Sequence, residues 1–140
     1  MEGLNIRWMV SGDLDRIGAM SERSGVKIPF VKMARKPDMI CVVSELDRSV
    51  NGFSLYRLCP DKIVIKHLIV DERFRRMDVA TGFIMRLVSK MSSKRSFVEA
   101  KVSEYNLDAQ LFFKSLSFRA EEIVRNCDES QYVFRKRLLI

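Results

Sequence analysis

Arg75-Arg76-Met77-Asp78-Val79-Ala80-Thr81 separates two stretches of opposite periodicity. Before it, Ile63-Val64-Ile65-Lys66-His67-Leu68-Ile69-Val70 is β-branched and apolar enough for a largely buried strand. After it, Val79, Phe83, Ile84, Leu87, Val88 and Met91 draw one apolar stripe along a helix spanning 79–92. A strand therefore runs through a basic turn into a helix N-terminus. Such a turn aims backbone N–H groups at an anion, because the first helical turn leaves donors unpaired and the dipole favours negative charge. A plainer reading stands beside this one: Asp78 caps a surface helix through its side chain, and the arginines form a solvated face.

A second strand and helix follow. Ser96–Ser103 reads as a strand, and Glu104–Phe118 carries Asn106, Ala109, Phe113, Leu116, Ser117 and Phe118 at spacings that suit a short helix and its exit. Ser11 can cap a helix bearing Leu14, Ile17 and Met20, and Ile28-Pro29-Phe30 opens another short one. Met39–Leu46 and Gly52–Leu58 suit an antiparallel pair joined through 47–51, and Cys59-Pro60-Asp61 turns the chain into 62–70. Ala120–Arg125 and Gln131–Leu139 suit a last antiparallel pair. The order is β-α-α-β-β-β-α-β-α-β-β.

Residues 75–81 resemble the acyl-CoA signature of the GNAT acetyltransferases, Arg/Gln-x-x-Gly-x-Gly/Ala: Arg75, Arg76, Met77, Val79 and Ala80 fit, and Asp78 stands at the glycine position. Asn106, Ala109, Leu116 and Phe118 match the family's later Asn-x-x-Ala-x-x-x-Tyr-x-x-x-Gly-Phe motif, with Phe113 for the tyrosine and Ser117 for the glycine. The resemblance implies an α/β GNAT fold over 1–140 as a single domain. That fold is a mixed central sheet of about six to seven strands with flanking helices and a splay between the fourth and fifth strands. Within the superfamily, Ile6-Arg7-Trp8 with Asp13-Leu14, Ile28-Pro29-Phe30, and Arg125-Asn126 look most like the ribosomal-protein-alanine N-acetyltransferase (RimI) group.

By the same resemblance acetyl-CoA is the acyl donor. Leu68, Ile69 and Val70 would pair with its pantetheine. Arg75, Arg76, Met77, Asp78, Val79, Ala80 and Thr81 would meet its pyrophosphate. The glutamate base of the RimI group aligns with Lys101 and the tyrosine acid with Phe113. Phe113 has no proton to give, and Lys101 is a base only if its pKa is depressed. Glu99 is the nearest carboxylate in sequence, with a salt bridge as its ordinary role. Strand alternation predicts Val64, Lys66, Leu68 and Val70 on one face, with Lys66 looking toward Lys101, and His67 on the other.

Three functions follow as expectations. The first is a slow N-acetyltransferase acting on the α-amine of a protein, such as a ribosomal protein, or on a small amine. The second is a GNAT-fold binding or regulatory module with impaired catalysis. The third is a CoA enzyme for an anionic small molecule recruited by Lys66 and Lys101.

Composition narrows the setting. The chain has 140 residues, 47% of them hydrophobic, which suits one core in one domain. No apolar run approaches the ~20 residues that span a bilayer, and the opening Met-Glu-Gly-Leu-Asn does not read as a signal peptide, so a cytoplasmic location is expected. Cys41, Cys59 and Cys127 have neither zinc nor Cys-x-x-Cys spacing and read as free thiols, and no metal is expected. The net charge of +7 comes from clusters interleaved with carboxylates and without a nucleic-acid motif. Direct nucleic-acid binding and membrane association are therefore not expected, and a monomer or weak dimer is.

Overall fold

A computed structural model describes residues 4–25, 28–29, 32–33 and 35–139, apart from the side chains of 76 and 77. Within it the chain forms β1 (Asn5–Trp8), α1 (Leu14–Arg23), β2 (Met39–Leu46), β3 (Ser49–Leu58), β4 (Lys62–Val70), α2 (Val79–Val88), β5 (Phe97–Ser103), α3 (Leu107–Ser115), β6 (Arg119–Val124) and β7 (Gln131–Arg137). Short 3-10 turns at Ser11–Asp13 and Glu72–Met77 precede α1 and α2. Among the described residues the strands make one seven-stranded sheet in the order β1-β2-β3-β4-β5-β7-β6. Neighbours are antiparallel except β4 and β5, which run parallel with the α2 crossover between them.

Each face of the sheet carries its own core. On one side α2 and α3 lay Val79, Phe83, Ile84, Leu87 and Phe113 on Ile63, Ile65, Val98, Ala100 and Phe134. On the other, Ile17 and Met20 of α1 cover Val43, Phe53 and Leu55. Burial on both faces explains why β4 reads as a nearly continuous apolar run.

Local chemistry departs from the sequence reading in several places. The β2–β3 link is a two-residue turn at Asp47 and Arg48, φ 51° and 65°, so β3 begins at Ser49 rather than Gly52. Positive φ at both residues gives the turn whose twist matches the flanking strands. Ser11 does not cap α1; it opens the 3-10 turn, and the Asp13 carboxylate accepts from the Val10 N–H at 2.9 Å and from Arg7 Nη1 at 2.9 Å. α2 ends at Val88, with N–H groups of Ser89, Lys90 and Met91 still turning back onto Met85, Leu87 and Val88. The short helix expected from Ile28-Pro29-Phe30 lies largely outside the described residues.

α3 stops in a Schellman motif. The Phe118 N–H donates to the Phe113 carbonyl at 3.0 Å and the Ser117 N–H to the Lys114 carbonyl at 3.0 Å, with Ser117 at φ 69°. The accompanying apolar contact is Phe113 against Phe118, ring centroids 5.1 Å apart.

Candidate functional site

The ladder between β4 and β5 runs only from Lys62–Phe97 to Ile65–Ala100. Beyond that rung the two strands hold different partners: Leu68, Ile69 and Val70 stay registered with Ser54, Phe53 and Gly52 of β3, while Lys101–Ser103 stay with Val133–Gln131 of β7. The edge of β4 that faces β5 is therefore left without a strand partner over Leu68–Val70. A backbone edge of this kind can take an extended ligand as a further strand would.

β4 leads straight into the turn before α2. Asp71 ends the strand, and its buried carboxylate accepts from the Arg73 N–H at 3.1 Å and from Arg16 Nη2 of α1 at 2.7 Å. Its own N–H donates to the Asn51 carbonyl at 2.8 Å. The Arg73 N–H, the Arg16 guanidinium and the Arg73 side chain together hold the Asp71 carboxyl below the usual carboxylate range. Asp71 and Arg16 thus fix the turn to both α1 and β3, a role the sequence reading missed. The local signal was an Asp followed two residues later by a turn residue, the pattern of an Asx turn.

Asp78 sits at φ 57°, ψ 25° and its side chain caps nothing, which corrects the expected N-cap. Asp is among the few residues that enter the left-handed region at modest cost, so it keeps the backbone course a glycine would take. Its carboxylate is exposed. No described side chain accepts from the N–H groups of Val79, Ala80 or Thr81, and the Gly82 N–H closes the first helical turn on the Asp78 carbonyl at 3.0 Å. Val79 itself is fully buried in the core, while Ala80 and Thr81 are partly exposed. Arg75 is exposed and holds the Val70 carbonyl through Nε at 3.4 Å. Arg76 and Met77 occupy the 3-10 turn. A cavity of about 160 Å³ opens beside the start of this turn, lined by Met20, Arg23, Ile69, Asp71, Arg73 and Arg75 among others.

The other expected contacts divide. Asn106 caps α3, its Oδ1 accepting from the Ala109 N–H at 3.1 Å. Phe113 is buried among Phe112, Phe118 and Phe134 with ring centroids 5.1 to 6.0 Å away, a packing group without a titratable proton. Glu99 is buried, one oxygen on Arg135 Nε at 2.9 Å and the other on Lys62 Nζ at 3.4 Å. Both lone-pair sets that could act as a base are thus engaged.

The alternation expected along β4 fails at one residue. Tyr56 pairs with Ile65 and Leu55 with His67, leaving Lys66 as the extra residue of a bulge. Ile63, Ile65, Leu68 and Val70 consequently share the α2/α3 face, while Ile69 packs on the α1 side. Lys66 and His67 both fall on the α1 side, where Glu99 and Lys101 of β5 also lie. Burial, with Arg57 and then Lys101 adding positive charge, lowers the Lys66 pKa; burial and Lys66 lower that of His67. Lys66 and Lys101 do face one another electrostatically, as expected, but Leu68, Val70 and His67 are each on the face opposite to the one predicted.

A seven-stranded mixed sheet whose central parallel pair parts beside a helix N-terminus is the GNAT fold, the fold of N-acetyltransferases. The chain is similar to Ard1 from Thermoplasma volcanium, at 21% identity over 99% of both chains with a TM-score of 0.84. It is similar to the ribosomal-protein-S18-alanine N-acetyltransferase of Escherichia coli, at 14% identity over 98% of this chain and 95% of that one, TM-score 0.84. Naa50 of Arabidopsis thaliana, solved with the bisubstrate analogue CoA-Ac-MVNAL, matches at 14% identity over 97% and 99%, TM-score 0.80. No protein-family model matches the chain, and no curated protein matches its sequence.

Proposed function

We propose that this chain transfers an acetyl group from acetyl-CoA to an α-amine, that of a protein N-terminus or a small molecule. The observation that carries the reading is the end of the β4–β5 ladder at Ile65–Ala100, directly ahead of the turn and the α2 N-terminus. Acetyl-CoA supplies an activated acyl group. The free edge of Leu68–Val70 would pair with its amide-bearing arm, and Arg75 and the N–H groups of Ala80 and Thr81 would hold its phosphates. The N-acetyltransferases of the same fold, one of them solved with a CoA–peptide analogue, support an amine acceptor.

In the transfer the neutral amine attacks the thioester carbonyl, the C–N bond forms, the C–S bond breaks, the amine gives up a proton and the thiolate gains one. Phe113 cannot donate that proton and Glu99 is held by two cations, so the proton steps fall to solvent. Slow turnover follows, since positioned acid–base groups usually contribute about 10²–10⁴-fold. The same two residues favour a second reading, a GNAT-fold binding module whose catalysis is impaired.

The test is thermal shift with acetyl-CoA and CoA, followed by mass spectrometry of peptides incubated with acetyl-CoA. Binding with transfer to α-amines supports the first reading; binding without transfer supports the second. Absence of a thermal shift at millimolar acetyl-CoA overturns both.

A further inference from the structure

We propose that the acceptor is an amine carrying a carboxylate a few bonds away, and that Lys66 and Lys101 hold that carboxylate between the parted strands. This deepens the acetyl-transfer reading and rests on it. The bulge places Lys66 on the α1 face, and Lys101 is the first β5 residue beyond the last rung, so the two ammonium groups stand on opposite lips of the opening. Both are exposed, and neither makes a salt bridge or hydrogen bond among the described residues.

Glu99 is the carboxylate whose charge reaches Lys66, and it makes its ion pairs elsewhere. Glu99 gives both oxygens to Lys62 and Arg135, and Asp38 pairs with Arg57 at 3.3 Å. Arg57 adds positive charge at Lys66, Cys59 acts the other way, and His67 follows Lys66 on the same face. Two exposed like charges at the mouth of one opening repel one another, and an incoming anion offsets that repulsion; Lys101 acts on Lys66 in this sense, after burial and Arg57. A lysine side chain entering the opening would add a third positive charge there, while a neutral acceptor would leave the repulsion in place. The favoured chemistry is that of a peptide beginning with Asp or Glu, or of a free acidic amino acid.

The test compares acetyl transfer to peptides identical except for Asp, Asn or Lys at the first position, alongside free aspartate. The Asp peptide should exceed its isosteric Asn counterpart by about tenfold in kcat/KM, with the Lys peptide lowest. That Asp/Asn ratio should fall toward one in Lys66→Met and Lys101→Met, and with added salt. A ratio read within one preparation is insensitive to partial misfolding of a variant. Free aspartate outperforming the Asp peptide identifies a small-molecule acceptor; the reverse identifies a protein N-terminus. Equal rates on Asp and Asn peptides overturn the proposal and leave acetyl transfer standing. If no acceptor is acetylated, the acetyl-transfer reading fails, and calorimetry of the same peptides with CoA-saturated protein decides: preferential binding of the Asp peptide, lost in both lysine variants, supports the site, and equal binding overturns it.

Discussion

Asp78 and Ser117, which stand where the two family motifs carry glycine, share the left-handed backbone, φ 57° and 69°. Both hold the backbone region that glycine enters without penalty. The resulting cost falls on backbone energy rather than on geometry, so the turn before α2 and the exit from α3 keep their places.

Ser117→Gly should therefore stabilise the fold, by up to about 1 kcal/mol, since the exposed side chain makes no capping contact and glycine removes the left-handed penalty. Ser117→Val should do the reverse. Urea unfolding of the three proteins measures the order; a glycine variant less stable than wild type would contradict it.

At Asp78 charge and backbone can be separated. Asp78→Asn keeps a residue tolerant of φ near 57° and removes the charge, whereas Asp78→Gly removes both charge and side chain. Acetyl-CoA should bind tighter to the glycine variant by about 1–3 kcal/mol, with the asparagine variant between it and wild type. Calorimetry reads this directly, and equal affinities would place Asp78 away from the phosphates.

Acid should weaken the fold through Asp71 and Asp13. Hydrogen bonds and charge, from the Arg73 N–H and Arg16 at Asp71 and from Arg7 at Asp13, lower both pKa values in the folded chain. A carboxylate depressed on folding stabilises above its unfolded pKa of about 3.9, and that contribution is lost as pH falls through the folded value. The melting temperature should thus fall between about pH 5 and pH 2, and Asp71→Asn should flatten the slope while costing about 1–3 kcal/mol at neutral pH. Thermal melts across that range check both.

Gly52 is closed in: a Cβ there would lie 2.9 Å from Ser44 Oγ, 3.1 Å from the Ile69 carbonyl and 3.3 Å from Phe83. Gly52→Ala should destabilise by about 1–3 kcal/mol, because backbone cannot yield as a side-chain tip does. The same push against Ile69 should weaken acetyl-CoA binding, measurable by calorimetry on the folded variant.

Turnover should respond to an acid and a base placed at the positions the resemblance implies. Lys101→Glu with Phe113→Tyr should raise kcat on a neutral α-amine peptide by about 10² or more. The tyrosine hydroxyl would enter an aromatic cluster, so its cost in melting temperature is read in parallel. A double variant no faster than wild type would favour the binding-module reading.

Sequence alone determined the elements whose signals are local. The β4–turn–α2 unit and the β5–α3 unit were legible because a period of two gives way to a helical stripe within a few residues, and the hairpins because turn residues separate apolar runs. The parallel pairing of β4 with β5 followed from the crossover length between them. What tertiary structure decided was every side chain whose direction depends on a partner. The bulge at Lys66 is set by the register between β3 and β4, and one added residue there moved Lys66 and His67 to the same face and sent Leu68 and Val70 to the other. Asp71 found Arg16 across α1, and Glu99 was taken by Lys62 and Arg135 from two other strands. Periodicity records only a residue's own strand or helix; register and charge pairing are fixed by elements distant in the chain.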